Sequence, residues 1–328
     1  MSKNRDLTFD IVRAVCILDI VCLLHLSNYI DTSFAPKNFW NCIGYASQIV
    51  LGAFAFISGY FLKKYKIETF SDIKRFYINR IKRFWILYFI ASLTLYLASS
   101  FAGQPWYPSI LNFVLSLFGL TIFFQPLPAT LWYMVMIMFF YMITPIFLCL
   151  QDLKKRSLLL LVFYVALIII SYWDLVDKRV VDYFPMYALG LITTEKVINF
   201  LKKKPMWTTL TSCLLLFISF YFKGTNLGFV IFCVSGSTLI LIFAEIISKS
   251  SIVKTTASYI SYSSLNMYFF HRHFFLGFLI LYNSGSSNNI REATFPIIFA
   301  YLIVCPCVIV FSYYVQKLYD QIIKHWWP

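Results

Sequence analysis

The sequence predicts an all-α, polytopic membrane protein of about ten transmembrane helices with both termini cytoplasmic. Three observations lead there. The 328-residue chain is 60% hydrophobic and only 13% charged, whereas an ordinary soluble domain is about 45–50% apolar and about 25% charged. So few charges cannot cover a water-facing surface. Apolar runs of roughly twenty residues recur along the chain, the length at which a helix crosses a hydrocarbon core of about 30 Å. Lys and Arg concentrate in alternate connections, as orientation in a bilayer requires.

The first expected span covers 9–30. Its basic start, Lys3 and Arg5, resembles a secretion signal, but no small-x-small cleavage site follows and the stretch holds Asp19 and His25. It reads as a retained helix. The next two spans are 40–62 and 84–101, joined by a strongly basic inner loop from Lys63 to Arg83. Segment 109–125 is apolar but short and flanked by Pro105, Pro108, Pro126 and Pro128, which predicts an interfacial or re-entrant helix. Seven further spans follow at 131–150, 157–173, 183–199, 207–222, 227–247, 259–282 and 293–316. Trp40, Trp106, Trp132, Trp173, Trp207, Trp326 and Trp327 lie near expected helix ends, where amphipathic rings favour the headgroup layer.

With the N-terminus inside, the outer connections hold only Lys37, Lys178, Arg179, Lys223 and Arg291. Nearly all other basic residues fall inside. A spanning 109–125 would invert everything after it and reverse this bias at 151–156 and 202–204. Residues 1–328 therefore read as a single integral membrane domain without a separate soluble part.

The net charge of +14 raises nucleic acid as a partner. Its distribution over membrane connections, without a basic stripe on a polar surface, argues against that. The eight cysteines sit in or beside apolar segments without metal-ligand spacing, and read as small hydrophobes. No metal is expected.

Ionisable groups inside a membrane helix cost about 2.5–3.5 kcal/mol or more, so each needs a partner or a task. The first span holds Asp10, Arg13, Asp19 and His25. Asp10 and Arg13 are one turn apart and can pair. His25 offers a general base near neutral pH, or a structural hydrogen bond to a neighbouring helix. In the ninth span, residues 271 and 273 point about 200° apart, so His271 is expected inward with Ser264 and Tyr268, and His273 elsewhere. Chemistry and helix tethering both stay open for His271. Glu245 is deep enough to need a partner, and Ser58-Gly59 suits close helix approach.

Several motifs resemble the acyltransferase-3 family, integral membrane acyltransferases that modify bacterial surface glycans. They are Asp10-x-x-Arg13 leading to His25, Phe56-Ile57-Ser58-Gly59-Tyr60, and Arg80-x-x-Arg83. Further on come Leu131-Trp132-Tyr133 with Tyr141 and Pro145, Phe184-Pro185 with Leu189-Gly190, and Ser264-x-x-x-Tyr268-x-x-His271. Each is weak alone; their shared order over nearly the whole chain is specific.

One spacing departs from the family. It usually places ten residues between Arg and His, and here eleven separate Arg13 from His25. On a straight α-helix this rotates the pair about 120° apart instead of about 20°. A π-bulge near Asp19 would absorb the extra residue.

The resemblance implies transfer of an acyl group, most simply acetyl, from cytoplasmic acyl-CoA to a hydroxyl of an extracytoplasmic polysaccharide or glycan, in the bacterial cytoplasmic membrane. His25 would act as base, with Arg13 holding the donor or its developing charge. Arg80 and Arg83, one turn apart, would either grip the CoA phosphates or serve only as orientation determinants. Trp132, Tyr133 and His271 would line the substrate site. Acyl-CoA, a carbohydrate acceptor and the lipid bilayer are the expected partners, and the oligomeric state, homo-oligomer included, stays open. The competing class is an exporter of polysaccharide or lipid-linked sugar, which would call for repeats or broken helices around a path.

Overall fold

The structure, a computed structural model, describes residues 6–25, 36–101, 109–124, 127–128, 131–283 and 300–326. Every regular element among them is helical. In chain order they are α1 (Leu7–Leu18), a π-helical turn Asp19–His25, α2 (Lys37–Leu62), α3 (Phe70–Arg80), a second π-turn Ile81–Trp85, and α4 (Ile86–Phe101). Then come α5 (Ile110–Leu117), a 3-10 turn Leu120–Ile122, α6 (Trp132–Leu148), α7 (Leu153–Tyr172), α8 (Lys178–Ile192) and α9 (Glu195–Lys203). The last are α10 (Pro205–Tyr221), α11 (Asn226–Ile247), α12 (Ser251–Asn283), a π-turn Ala300–Val304 and α13 (Cys305–Trp326). Lys3, Arg5, Pro105, Trp106, Pro108, Pro126, Arg291, Trp327 and the outlying ends of the first and tenth expected spans lie outside the described residues.

Among the described residues, four helical stretches are long and apolar enough to cross a membrane: Lys37–Leu62, Phe70–Ala98, Asn226–Ile247 and Tyr301–His325. Two shorter apolar helices are Trp132–Leu148 and Pro205–Tyr221. The membrane reading gains a second support from outward faces. On α7, Leu158, Leu161, Val162, Val165 and Ile169 are all exposed at the spacing of one helical face, while Leu160 and Leu167 are buried. On α10 the exposed face is Leu210, Leu214, Phe217 and Tyr221. Such faces suit lipid.

The expected basic loop from Lys63 to Arg83 is mostly helix. Thr69 caps α3 and forms a capping box with Asp72, so the chain is helical from Phe70 onward. Arg80 and Arg83 therefore stand on the wall of a long helix. Segment 109–125 does stop short of spanning: α5 has eight residues, about 12 Å of helix, and Gly119 then turns the chain with φ 71°.

The chain divides into two compact units, Met1–Val50 with Leu97–Gln104 and Phe243–Pro328, and Leu51–Tyr96 with Pro105–Ile242. In the first, α1 packs on α12, which packs on α13. Phe9, Ile11, Val12, Cys16, Ile17, Ile20 and Val21 are all buried, so apolar residues enclose the first helix nearly all round. Polar ties fix its start: Thr8 Oγ1 donates to Glu245 Oε2 at 2.7 Å, and Ser261 donates to Asp10 at 2.9 Å. Glu245 thus has the partner its depth demands.

In the second unit α6, α7 and α8 pack together, with α3 against α6. Gly59 and Gly190 let the backbones of α2 and α8 meet; a Cβ at Gly59 would lie 2.2 Å from the Tyr187 carbonyl oxygen. Arg156, expected as an orientation determinant, is buried and donates to the Leu150 carbonyl at 2.9 and 3.0 Å. Lys63 likewise donates to the carbonyl of Thr193, the C-cap of α8, at 2.6 Å.

Candidate active site

The first helix opens into a π-helical turn over Asp19–His25, where the extra residue between Arg13 and His25 calls for one. Absorbing one residue returns the two side chains to within about 20° of a common face. Ser47 donates to the Asp19 carboxylate at 2.9 Å, tying the turn to α2.

At the end of this turn His25 is buried, with 8% of its surface exposed. Its Nδ1 lies 2.7 Å from Nε2 of His271, which is fully buried. The rings are within 5° of parallel, with centroids 4.8 Å apart. His271 Nδ1 lies 3.0 Å from the Met267 carbonyl oxygen one turn back on α12. Tyr268 stands edge-on to both rings, and Phe275 closes the far side of His271. His271 is the inward residue of its helix, as its face predicts, and His273 is only partly buried. Both nitrogens of His271 thus have partners, Nε2 in His25 and Nδ1 in the Met267 carbonyl.

Arg13 pairs with Asp10 at 3.6 Å, and Ser261 holds the same Asp10 oxygen. Arg13 lies twelve positions before His25, a span that would be about 18 Å on a straight α-helix and is shortened by the π-turn.

The remaining expected site residues belong to the second unit. Arg80 is half-buried: Nη2 donates to the Tyr65 hydroxyl at 3.0 Å, and its guanidinium lies 5.5–5.8 Å from the rings of Tyr65, Phe76 and Tyr141. Its Nε is buried without a hydrogen-bond partner among the described residues. Arg83 is exposed. The second π-turn begins directly after Arg80 and contains Arg83. Trp132 is half-buried under the Arg179 guanidinium, 4.6 Å from its centroid, and Arg179 also pairs with Asp177. Tyr133 is buried and donates to the Leu51 carbonyl at 3.0 Å, so its polar end is committed to the fold.

The acyltransferase-3 family model, described as an acyltransferase domain, matches residues 6–317. The chain belongs to the acyltransferase-3 family. No curated protein and no solved structure matches it. The match takes in every motif quoted above, and this acyltransferase is accordingly a membrane enzyme built on apolar helices. Sequence patterns did not indicate that His25 and His271, 246 residues apart, share a hydrogen bond. Tyr65, the hydroxyl beside Arg80 and fifteen residues before it, also escaped them.

Proposed function

We propose that this membrane acyltransferase moves a short acyl group, most simply acetyl, from cytoplasmic acyl-CoA to a hydroxyl of an extracytoplasmic cell-surface carbohydrate, in a bacterial cytoplasmic membrane. The observation that carries the proposal is His25: a buried imidazole held at Nδ1, with no hydrogen-bond partner at Nε2 among the described residues. A base so placed takes the acceptor's proton at Nε2 as the hydroxyl oxygen bonds to the thioester carbonyl carbon. The tetrahedral adduct then collapses, the C–S bond breaks, and the CoA thiolate recovers the proton from Nε2. Such general catalysis contributes about 10²–10⁴-fold.

The cationic residues suit a donor carrying phosphates. Arg80 keeps a buried N–H unsatisfied, an arrangement favourable for an anionic oxygen. Arg13, far along the helix from His25, suits the distal part of an elongated donor. Trp132 is the better placed of the two aromatic candidates for stacking on a sugar, since Tyr133 is buried.

Purified protein in proteoliposomes, given labelled acetyl-CoA, tests the donor. Release of CoA above that from protein-free vesicles is expected, together with a loss of about one acyl mass per glycan repeat in cells lacking the chain. Equal CoA release and identical glycan masses would overturn the proposal.

A further inference from the structure

We infer that His271 is a positioning residue that fixes the tautomer of His25, leaving the Nε2 lone pair of His25 free to accept a proton. The inference rests on His25 being the base, and follows from what each atom in the chain of hydrogen bonds can do. The Met267 carbonyl only accepts, so at 3.0 Å the proton between it and His271 must sit on Nδ1 of His271. A neutral imidazole carries one N–H, so Nε2 of His271 holds a lone pair. That lone pair faces Nδ1 of His25 at 2.7 Å, which makes Nδ1 the protonated nitrogen of His25. Nε2 of His25 is left as the basic atom. The backbone of α12 thus dictates, through one intervening ring, which side of His25 does the proton transfer.

The arrangement also prepares for the reaction. When Nε2 takes the acceptor's proton, His25 becomes an imidazolium whose Nδ1–H already points at a lone pair. The ring need not turn, because Nδ1 already lies 2.7 Å from the Nε2 of His271. A histidine in the wrong tautomer costs a catalytic triad about 10⁴ in kcat, which sets the scale of the effect. Packing alone does not account for the pair. An apolar residue would fill the space beside Phe275 and Tyr268, whereas two imidazoles meeting nitrogen to nitrogen need a matched set of protons.

The experiment uses the full chain in lipid nanodiscs with ¹⁵N-labelled histidine. There are four histidines, so the His25 signals are assigned by their loss in His25→Ala. The expected result is a protonated Nδ1 and an unprotonated Nε2 on His25. His271→Phe should move His25 toward the Nε2–H form and lower kcat at least about 100-fold, with KM for acetyl-CoA changed less than about twofold. His271→Gln, which restores an acceptor, should recover kcat to within about tenfold of wild type. A wild-type His25 protonated at Nε2 overturns the inference, as does full activity in His271→Phe. If that variant does not fold, the wild-type tautomer alone decides. A protonated Nδ1 together with full activity in His25→Ala would instead remove the base assignment and leave the tautomer standing.

Discussion

The Ser47 hydroxyl donates to the Asp19 carboxylate at 2.9 Å, and this bond pins the first residue of the π-turn that ends at His25. The Ile43 carbonyl of its own helix also lies 2.9 Å from the Ser47 hydroxyl, so the two acceptors share its single proton. A π-turn is a costly departure from α-geometry and persists where its surroundings fix it.

Ser47→Ala should therefore reduce stability by about 1–2 kcal/mol, because it strips a half-buried carboxylate of a donor. Ser47→Thr, which keeps the hydroxyl, should cost less. Thermal unfolding of the purified protein in detergent measures both, and equal losses would mean that the hydroxyl does not matter.

Deletion of Ile20 brings the spacing of Arg13 and His25 to ten residues, for which a regular α-helix already aligns the two. The shortened chain should keep measurable acyl transfer. Insertion of one alanine after Ile20 rotates the histidine by about 100° and should abolish transfer. Equal activity of the two would detach the turn from function.

The Gly59–Gly190 crossing predicts a steric outcome. A Cβ at Gly190 would sit 2.2 Å from the Phe56 carbonyl oxygen, so Gly59→Ala and Gly190→Ala should each destabilise by about 1–3 kcal/mol or more. Gly44→Ala, with nothing within 4 Å of the added carbon, should change stability by less than about 0.5 kcal/mol. The same unfolding measurement compares them.

Arg80 and Arg83 should part company in kinetics. Losing a charged hydrogen-bond donor costs about 1.5–3 kcal/mol, so Arg80→Ala should raise the apparent KM for acyl-CoA about tenfold or more. Exposed Arg83→Ala should raise it less than about threefold. Arg80→Lys should resemble Arg80→Ala, because an ammonium does not reproduce a planar fork that donates to Tyr65 and keeps a second N–H for the donor. Unchanged KM in all three would leave the pair as orientation determinants.

The helical class was legible because apolar composition leaves few alternatives, and the first π-turn because a single surplus residue has one economical explanation. The inward face of His271 followed from its spacing with Ser264 and Tyr268. Less was legible where composition misled. The lysines and arginines of 63–83 suggested a loop, although Thr69-Phe70-Ser71-Asp72 carries the pattern that starts a helix. Aromatic residues at helix ends serve many tasks, and no spacing pointed to the bond by which Tyr133 ties its hydroxyl to the Leu51 carbonyl. The bond between His25 and His271 joins residues 246 positions apart, and no local periodicity encodes a partner at that distance.

Everything chemical here depends on the free nitrogen of His25. The most direct measurement is the rate of acyl transfer by His25→Ala in proteoliposomes with saturating labelled acetyl-CoA and acceptor glycan. The account predicts a fall of about 10²–10⁴-fold with the protein still folded and still binding acyl-CoA. A rate within about threefold of wild type would contradict it.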